Sequence, residues 1–279
     1  MRMINGRTEI VAHLGFPTES FTAPMIYNPW FESRGIDAVV VPMGVRAEDY
    51  AAFLRPLFRL ANIRGALVTM PHKVTTAGML DAVGGAVEIA GSCNAILKRD
   101  DGSLYGEMFD GVGFTRAAKR GGLNFAGAEC LIVGAGGVGS AIAAAIAAEG
   151  ASSVGLYDVR PGVAAALAER LGRHYPGLQI RLGGNDSAGY GLVVNATPLG
   201  MKTDDPLPFD LERIDPGAVV GDVVLGAGVT RLLQAAARRG CRCLAGTDML
   251  FEQIPAYLEF FGYGRPSVDE LRAVAAIRY

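Results

Sequence analysis

The most constraining feature of this chain is a glycine-rich turn between an apolar run and an alanine-rich run. Residues 131–139 read Leu-Ile-Val-Gly-Ala-Gly-Gly-Val-Gly, and a second apolar run ends in Asp158. The pattern predicts a strand, a tight turn, a long helix and a second strand that ends in an acid. Gly134 permits the turn, Gly136 lets a pyrophosphate approach bare backbone, and Gly139 lets the helix pack closely on the strand. The N-terminus of the helix then faces the phosphates.

Asp158 indicates which nucleotide this turn binds. A carboxylate at the tip of the second strand accepts hydrogen bonds from an adenosine ribose and repels a 2′-phosphate. We therefore expect the cofactor to be NAD, although a glycine turn in another kind of α/β protein is the alternative. Arg160 lies two residues farther on and could instead turn toward a phosphate. The expected cofactor-binding residues of this segment are Gly134, Gly136, Gly137, Val138, Gly139, Asp158 and Arg160.

Composition and charge argue against several other classes of protein. The 279 residues carry a formal net charge of −2, which leaves no basic footprint for nucleic acid or an anionic membrane. The four cysteines and three histidines show neither disulfide nor zinc spacing, which suits a reducing cytoplasm and no bound metal. No basic start is followed by an apolar run, so we expect no signal peptide. The uncharged stretch 131–148 approaches membrane-span length, but its glycines favour a buried strand, turn and helix.

Strand and helix patterns alternate along nearly the whole chain, which predicts an α/β fold with parallel sheets covered by helices. The predicted strands are 9–14, 37–42, 64–69, 129–133, 153–157, 192–195 and 219–224. The predicted helices are 24–34, 47–60, 71–79, 111–121, 137–149, 161–173, 230–239, 249–260 and 268–277. Residues 94–99 and 103–105 are expected to form a hairpin. The nucleotide-binding pattern begins near residue 125, so the residues before it are expected to form their own domain, with the substrate in the cleft between the two.

Two polar residues are candidates for acid–base chemistry. Lys73 follows Pro71, which is predicted to open a helix. A cation in a first helical turn opposes the helix dipole at a cost of about 0.3–1 kcal/mol, so structure alone does not favour lysine there. Asp110 stands at the start of another helix, where it could be an ordinary N-cap, and by spacing alone Thr69 and Asn94 are turn or cap residues. Oxidation of an alcohol by hydride transfer needs a base for the hydroxyl proton, and a lysine with a carboxylate partner can supply one.

The order of the motifs resembles the shikimate dehydrogenase family along nearly the whole chain. The matching segments are Gly15-Phe-Pro, Ala23-Pro-Met-Ile-Tyr-Asn, Gly65-Ala-Leu-Val-Thr-Met-Pro-His-Lys, Gly91-Ser-Cys-Asn-Ala, Phe109-Asp-Gly-Val-Gly-Phe, Gly134-Ala-Gly-Gly-Val-Gly, Asn195-Ala-Thr-Pro-Leu-Gly-Met and Gly246-Thr-Asp-Met-Leu-Phe-Glu-Gln. The resemblance implies an N-terminal α/β substrate domain at 1–108, completed by C-terminal helices at 248–279, and a Rossmann-type, doubly wound dinucleotide-binding domain at 109–247. It also implies reversible oxidation of a ring hydroxyl to a ketone in the shikimate pathway of aromatic amino acid biosynthesis.

The resemblance further implies roles for individual residues. Lys73 and Asp110 match the family's catalytic pair. The positions that hold the substrate's hydroxyls are matched by Thr69, Asn94 and Gln253, and the segments that line the cofactor and nicotinamide pocket are matched by Asn195, Thr197 and Met249.

The chain departs from the family where the substrate carboxylate is usually held. The two hydroxyl residues of a Ser-x-Ser-Pro segment are replaced by Phe21 and Ala23, and a tyrosine three residues after Asp222 is replaced by Leu225. The usual Asn before Thr-x-Pro is Leu67, and the Asn-Thr ahead of the catalytic aspartate is Met108-Phe109. A buried carboxylate without donors costs several kcal/mol. Alternatively Ser20, Thr22, Tyr27 or backbone amides replace the missing hydroxyls.

Three functions stay open. The first is an NAD-dependent dehydrogenase of shikimate, quinate or a related cyclic polyol. The second is a paralogous dehydrogenase whose substrate lacks the carboxylate or holds it elsewhere, and the third is a non-catalytic NAD-binding sensor. Retention of Lys73, Asp110, Asn94 and Gln253 speaks against the third, because a sensor does not need the whole set. The expected partner is a small cyclic hydroxy acid or polyol, and the chain is expected to be a monomer or homodimer.

Overall fold

The computed structural model describes residues 3–225 and 228–277, which fold into two α/β units. The first unit comprises the described residues up to Phe109 together with those from Ile254 onward. The second comprises the described residues from Asp110 to Gln253. The sequence places the corresponding divisions after residues 108 and 247, and the structure places the second one within helix α9, Gly246–Phe261.

The first unit is built on a six-stranded mixed sheet in the order β2-β1-β3-β5-β6-β4. Its strands are β1 Glu9–Gly15, β2 Ala38–Gly44, β3 Ile63–Val68, β4 Ala82–Val83, β5 Ala95–Lys98 and β6 Leu104–Glu107. Its helices are α1 Pro24–Arg34, α2 Ala47–Leu57, α3 Lys73–Ala77, α4 Gly85–Ala90 and α10 Val268–Val274, with the second part of α9. Strands β2, β1 and β3 run parallel, whereas β5 pairs antiparallel with both β3 and β6.

The second unit is built on a six-stranded parallel sheet in the order β12-β11-β10-β7-β8-β9. Its strands are β7 Glu129–Val133, β8 Ser153–Tyr157, β9 Gln179–Leu182, β10 Leu192–Asn195, β11 Val219–Asp222 and β12 Arg242–Ala245. Its helices are α5 Asp110–Arg120, α6 Gly137–Ala148, α7 Val163–His174 and α8 Arg231–Arg238, with the first part of α9. Successive β-α units spread from β7 toward β9 on one side and from β10 toward β12 on the other. The strand order therefore reverses between β7 and β10, and in such sheets ligands bind at this point, beyond the carboxyl ends of the strands.

The predicted fold class is confirmed in both units. The uncharged stretch 131–148 is a buried strand, a turn and a buried helix, because β7 and α6 lie in the interior of the second unit. No helix within residues 3–225 and 228–277 is long and apolar enough to cross a membrane. The predicted hairpin is β5 and β6, closed by Gly102 at φ +83° and by the Arg99 amide bonded to the Ser103 carbonyl at 2.9 Å.

Several element boundaries differ from the sequence prediction. Pro71 does not open a helix: residues 69–72 form a turn, in which the His72 amide donates to the Thr69 carbonyl, and α3 begins at Lys73. The predicted helix 71–79 is therefore reduced to the five residues of α3. The sequence prediction missed β4, α4, β9 and β12, which are short. Strands β9 and β12 form the two edges of their sheet and carry exposed polar residues, so they lack the apolar run that marks a central strand.

Candidate active-site residues

Three predicted substrate-side residues meet at one end of the first unit's sheet. Thr69 follows β3, Lys73 is the first residue of α3, and Asn94 directly precedes β5. Backbone hydrogen bonds join these segments, because the Asn94 carbonyl accepts from the Val68 amide and the Lys73 carbonyl accepts from the Cys93 amide, both at 2.8 Å. The structure therefore brings Thr69, Lys73 and Asn94 together.

The Asn94 side chain is held in a fixed orientation. It is buried, and its Oδ1 accepts a hydrogen bond from the Phe109 amide at 2.9 Å. Its main chain is also held, because the Asn94 amide donates to the Glu107 carbonyl at 3.0 Å. Asn94 thereby fixes the segment that leads directly into Asp110.

The second unit brings together Asp110, Met249 and Gln253. Asp110 is buried as the first residue of α5, and Gly113 follows one turn later. A Cβ at Gly113 would lie 2.7 Å from the Met249 carbonyl oxygen and 2.8 Å from the Gln253 Cβ, so α5 and α9 touch through this glycine. The Gln253 Oε1 is buried without a hydrogen-bond partner in the described structure. Asp110 and Lys73 belong to different units, and their pairing stays a prediction.

The three glycines of the nucleotide turn have different surroundings. Gly134 has φ +100°, a left-handed conformation that favours glycine, and its amide donates to the Tyr157 carbonyl at 2.7 Å. A Cβ at Gly139 would overlap the Gly134 carbonyl oxygen, so α6 packs on the turn without room for a side chain. A Cβ at Gly136 would meet only the Arg160 Nη2, at 3.6 Å. The space over Gly136 is therefore open, as a backbone cradle for a pyrophosphate requires.

Asp158 is paired with Arg160. Its Oδ2 accepts from the Ala135 amide and from Arg160 Nη2, and its Oδ1 accepts from the Arg160 amide and Nε, all at 2.9 Å. The Arg160 guanidinium, above all, lowers the pKa of Asp158 to about 2. The Asp158 side chain is 5% exposed and the Arg160 side chain 61% exposed. The carboxylate is thus anchored to the glycine turn, whereas the arginine lies on the surface.

The Asn195 side chain hydrogen-bonds the loop that follows β10. Its Nδ2 donates to the Leu199 carbonyl at 2.9 Å and to Asp222 Oδ1 at 3.0 Å, and its Oδ1 accepts from the Thr197 amide and hydroxyl. Asp222 also accepts from Thr230 Oγ1 at 2.6 Å, and burial raises the pKa of this carboxyl. The Asn195 side chain thus shapes the loop at the carboxyl end of β10, and sequence reasoning did not foresee its link to Asp222 and Thr230.

His13 is a buried histidine that no motif of the sequence marks as functional. His13 is 8% exposed in β1, and its ring stacks on Phe21 with the centroids 4.1 Å apart. Its Nδ1 is buried and has no hydrogen-bond partner in the described structure. Burial, with a smaller contribution from the Lys73 charge, lowers the pKa of His13 to about 3. The available sequence signal was a histidine within the apolar strand that leads into Gly15.

The start of α1 bears on what could replace the missing serine hydroxyls. The Phe21 amide donates to the Thr18 carbonyl, and the Met25 amide donates to the Thr22 carbonyl, both at 3.0 Å. Pro24 has no amide hydrogen to offer. Tyr27 is 2% exposed within the core of the first unit. The backbone at residues 21, 24 and 25 therefore has no free amide hydrogen that could replace the missing serine hydroxyls.

The low pKa of His13 predicts a pH dependence of stability. The unfolded chain protonates His13 near its ordinary pKa of 6.5, whereas the folded chain protonates it only near pH 3. The unfolded state therefore binds more protons between these values, and the free energy of unfolding falls as the pH is lowered, by up to about 1.4 kcal/mol per pH unit. We expect Tm to fall less between about pH 6.5 and pH 5 in His13→Gln than in the parent. Identical losses in the two proteins would contradict this account.

Three kinds of known protein resemble this chain in sequence or in fold. The profile of the "Shikimate dehydrogenase substrate binding domain" matches residues 14–96. The shikimate dehydrogenase (NADP(+)) of Rubrobacter xylanophilus is 38% identical, over 90% of this chain and 89% of its own length. The shikimate 5-dehydrogenase of Listeria monocytogenes, solved in complex with shikimate and NAD, has a TM-score of 0.88 at 27% identity, and the alignment covers 98% of each chain. The quinate dehydrogenase of Corynebacterium glutamicum in complex with NAD has a TM-score of 0.84 at 27% identity, covering 96% of this chain and 98% of that one.

The match extends over both units, since these relatives align with nine-tenths or more of the chain. The nucleotide turn stands where the strand order of the second unit reverses, and Lys73, Thr69 and Asn94 meet within the first unit. The chain belongs to the shikimate dehydrogenase family, whose members are oxidoreductases that use a nicotinamide dinucleotide.

Proposed function

We propose that the protein catalyses reversible, NAD-dependent oxidation of a ring hydroxyl of shikimate, quinate or a related cyclic polyol to the ketone. The observation that carries the proposal is the placement of Lys73 beside Thr69 and Asn94, which groups an amine with two side chains that are able to hydrogen-bond hydroxyl groups. The names of the relatives, which are shikimate and quinate dehydrogenases, support oxidation of a ring hydroxyl. They do not decide the cofactor, because the Rubrobacter relative is named for NADP(+) and the other two were solved with NAD.

The residues of the chain handle the proton and the substrate hydroxyls. Lys73 Nζ takes the proton of the reacting hydroxyl as the alcohol becomes a ketone, and returns it in the reverse direction. Asp110 is its proposed carboxylate partner. Gln253 supplies a buried Oε1 that lacks a partner in the described structure, and this atom can accept a hydrogen bond from a substrate hydroxyl. Thr69 and Asn94 orient further hydroxyls.

The glycine turn fits a dinucleotide. The open space over Gly136 leaves its backbone accessible, and α6 begins at Gly137 with its amides at the turn. A nicotinamide dinucleotide bound here supplies the hydride acceptor or donor. Thr197 and Met249 are proposed to line the nicotinamide pocket. Asn195 Oδ1 accepts from the Thr197 amide and hydroxyl, and is proposed to hold Thr197 in place there.

We expect NAD to be preferred over NADP by at least about tenfold in kcat/KM. The Ala135 amide keeps Asp158 at the ribose position, and its charge repels a 2′-phosphate, whereas the exposed Arg160 can turn away to admit the ribose hydroxyls. Asp158→Asn should reduce or reverse the preference in steady-state assays with both cofactors. Arg160→Ala is the matched control: if Arg160 instead binds a phosphate, only the rate with NADP falls. Equal use of both cofactors by the parent would contradict the proposal.

One panel of substrates tests the proposed function against its alternatives. The protein is assayed with NAD and NADP on shikimate, quinate, aminoshikimate and carboxylate-free cyclitols. Turnover of the carboxylates supports the shikimate or quinate reaction, and turnover of the cyclitols alone supports a paralogous dehydrogenase, which Phe21 and Ala23 favour. Binding of NAD without turnover of any of these compounds would overturn the proposal and favour a sensor.

A further inference from the structure

His13 shares one face of the first unit's sheet with the substrate-side residues. A Cβ at Gly15 would point at the Thr69 side chain and, at 2.7 Å, at the Phe21 ring. Side chains alternate along a strand, so His13, two residues before Gly15, projects from the same face. The parallel register pairs His13 with Leu67, which lies two residues before Thr69. His13, Leu67 and Thr69 therefore line one surface, and Phe21 lies over it.

The face of the sheet that carries His13 contains one buried polar atom without a hydrogen-bond partner in the described structure, His13 Nδ1. A buried polar atom without a partner costs about 1–3 kcal/mol, so it is retained where another group satisfies it. His72 provides the comparison within the same unit: it is also buried and stacked, on Tyr50 at 3.9 Å, but its Nε2 bonds to the Val45 carbonyl at 2.8 Å. His72 is satisfied by the protein. His13 Nδ1 is not, and it lies close enough to Lys73 to feel its charge.

The chemistry of the surface selects the kind of group that satisfies His13. An uncharged imidazole offers one donor and one acceptor, which matches a hydroxyl group. A carboxylate accepts only, and it needs several donors when it is buried. Beside His13, Phe21 and Leu67 offer no side-chain donors, and the Phe21 amide already donates to the Thr18 carbonyl. The donors of Thr69 and Lys73 are assigned in the proposed function to the reacting part of the ring, so they do not serve a group bound between His13 and Phe21. The surface therefore suits a hydroxyl on an apolar ring edge.

We propose that His13 and Phe21 form a subsite for an uncharged, hydroxyl-bearing part of the substrate ring, in which the His13 imidazole hydrogen-bonds a substrate hydroxyl. This inference rests on the proposed dehydrogenase function and selects its paralogous form, which acts on cyclic polyols without a carboxylate at this position. His13 thereby determines specificity and orients the ring, while the proton transfer remains with Lys73.

The kinetic test compares shikimate with the cyclohexene triol that matches it but lacks the carboxylate. We expect the parent to favour the triol by at least about tenfold in kcat/KM, and His13→Ala to lose about tenfold or more on the triol, chiefly through KM. His13→Gln keeps a donor and an acceptor and should retain more of the activity than His13→Ala. His174→Ala, which changes an exposed histidine at the end of α7, should leave the kinetics unchanged. A parent that favours shikimate, or a His13→Ala protein within about threefold of the parent on the triol, would overturn the inference.

A binding measurement separates this inference from the proposed function. The imidazole ¹⁵N resonances of the full chain with NAD are followed while the triol is added, with His174 as the reference. A shift of the His13 resonances without any turnover supports the subsite while the proposed function fails. Turnover of the triol with no shift of the His13 resonances would overturn the proposed subsite and leave the proposed function in place. Circular dichroism of each His13 variant checks that it is folded.

Discussion

Lys73→Ala is expected to lower kcat by about 10²–10⁴-fold on whichever substrate the parent turns over best, because the general base for the hydroxyl proton is lost. Lys73 is the first residue of α3, where a cation opposes the helix dipole, so the helix itself gains nothing from the lysine. The loss should fall on kcat more than on KM. NAD affinity, measured by calorimetry, should be retained, because Lys73 lies outside the unit that contains the glycine turn.

The controls for this prediction lie in the same chain. Lys98→Ala removes a partly exposed lysine of β5 in the same unit, whose Nζ bonds to the Leu60 carbonyl at 3.0 Å, and should leave kcat unchanged. Asp110→Asn should act in the same direction as Lys73→Ala, and the double variant should lose less than the sum of the two, as expected for residues that act as one unit. A Lys73→Ala protein within about threefold of the parent kcat lies outside the acid–base range and ends the assignment.

The central part of each unit could be predicted because its signal is local. The run 131–148 combines apolar residues with glycines at a fixed spacing, and β7, the turn and α6 follow it closely. Strands β9 and β12 could not be predicted in the same way. Their positions at the sheet edges depend on pairing with β8 and β11, and their own sequences carry little apolar pattern.

In the candidate site, too, the positions of residues along the chain could be predicted, whereas the contacts of their side chains could not. The position of Asp158 follows from strand length, but its two-pronged pairing with Arg160 depends on side-chain torsions that no spacing reveals. Asn195 was assigned to the segments that line the cofactor pocket by resemblance, and this role stays a prediction. Only the structure reveals that its buried amide bonds to Leu199, Thr197 and Asp222. His13 was missed because an unpartnered nitrogen is a tertiary property: the strand pattern around it is satisfied by any residue that can be buried.

Gly139→Ala and Gly136→Ala are expected to fail in different ways, although the two residues stand in one turn. A Cβ at residue 139 would overlap the Gly134 carbonyl oxygen and lie 3.1 Å from the Ala196 Cβ, and neither atom is the end of a flexible side chain. Such overpacking costs about 1–3 kcal/mol, so the Tm of Gly139→Ala without cofactor should fall by several degrees. At Gly136, φ is −73°, and the added methyl would meet only the Nη2 of the exposed Arg160 side chain, at 3.6 Å, an ordinary contact distance.

Gly136→Ala should therefore keep the parent Tm while its affinity for NAD, measured by calorimetry, falls by at least about tenfold, or 1.4 kcal/mol. The methyl group fills the space in which a pyrophosphate would approach the backbone. The pair separates folding from cofactor binding, because one methyl acts on the protein's own packing and the other acts only when the dinucleotide is present. Unchanged NAD affinity in a folded Gly136→Ala protein would mean that the phosphates bind elsewhere. The glycines of the turn would then be required only for the packing of α6.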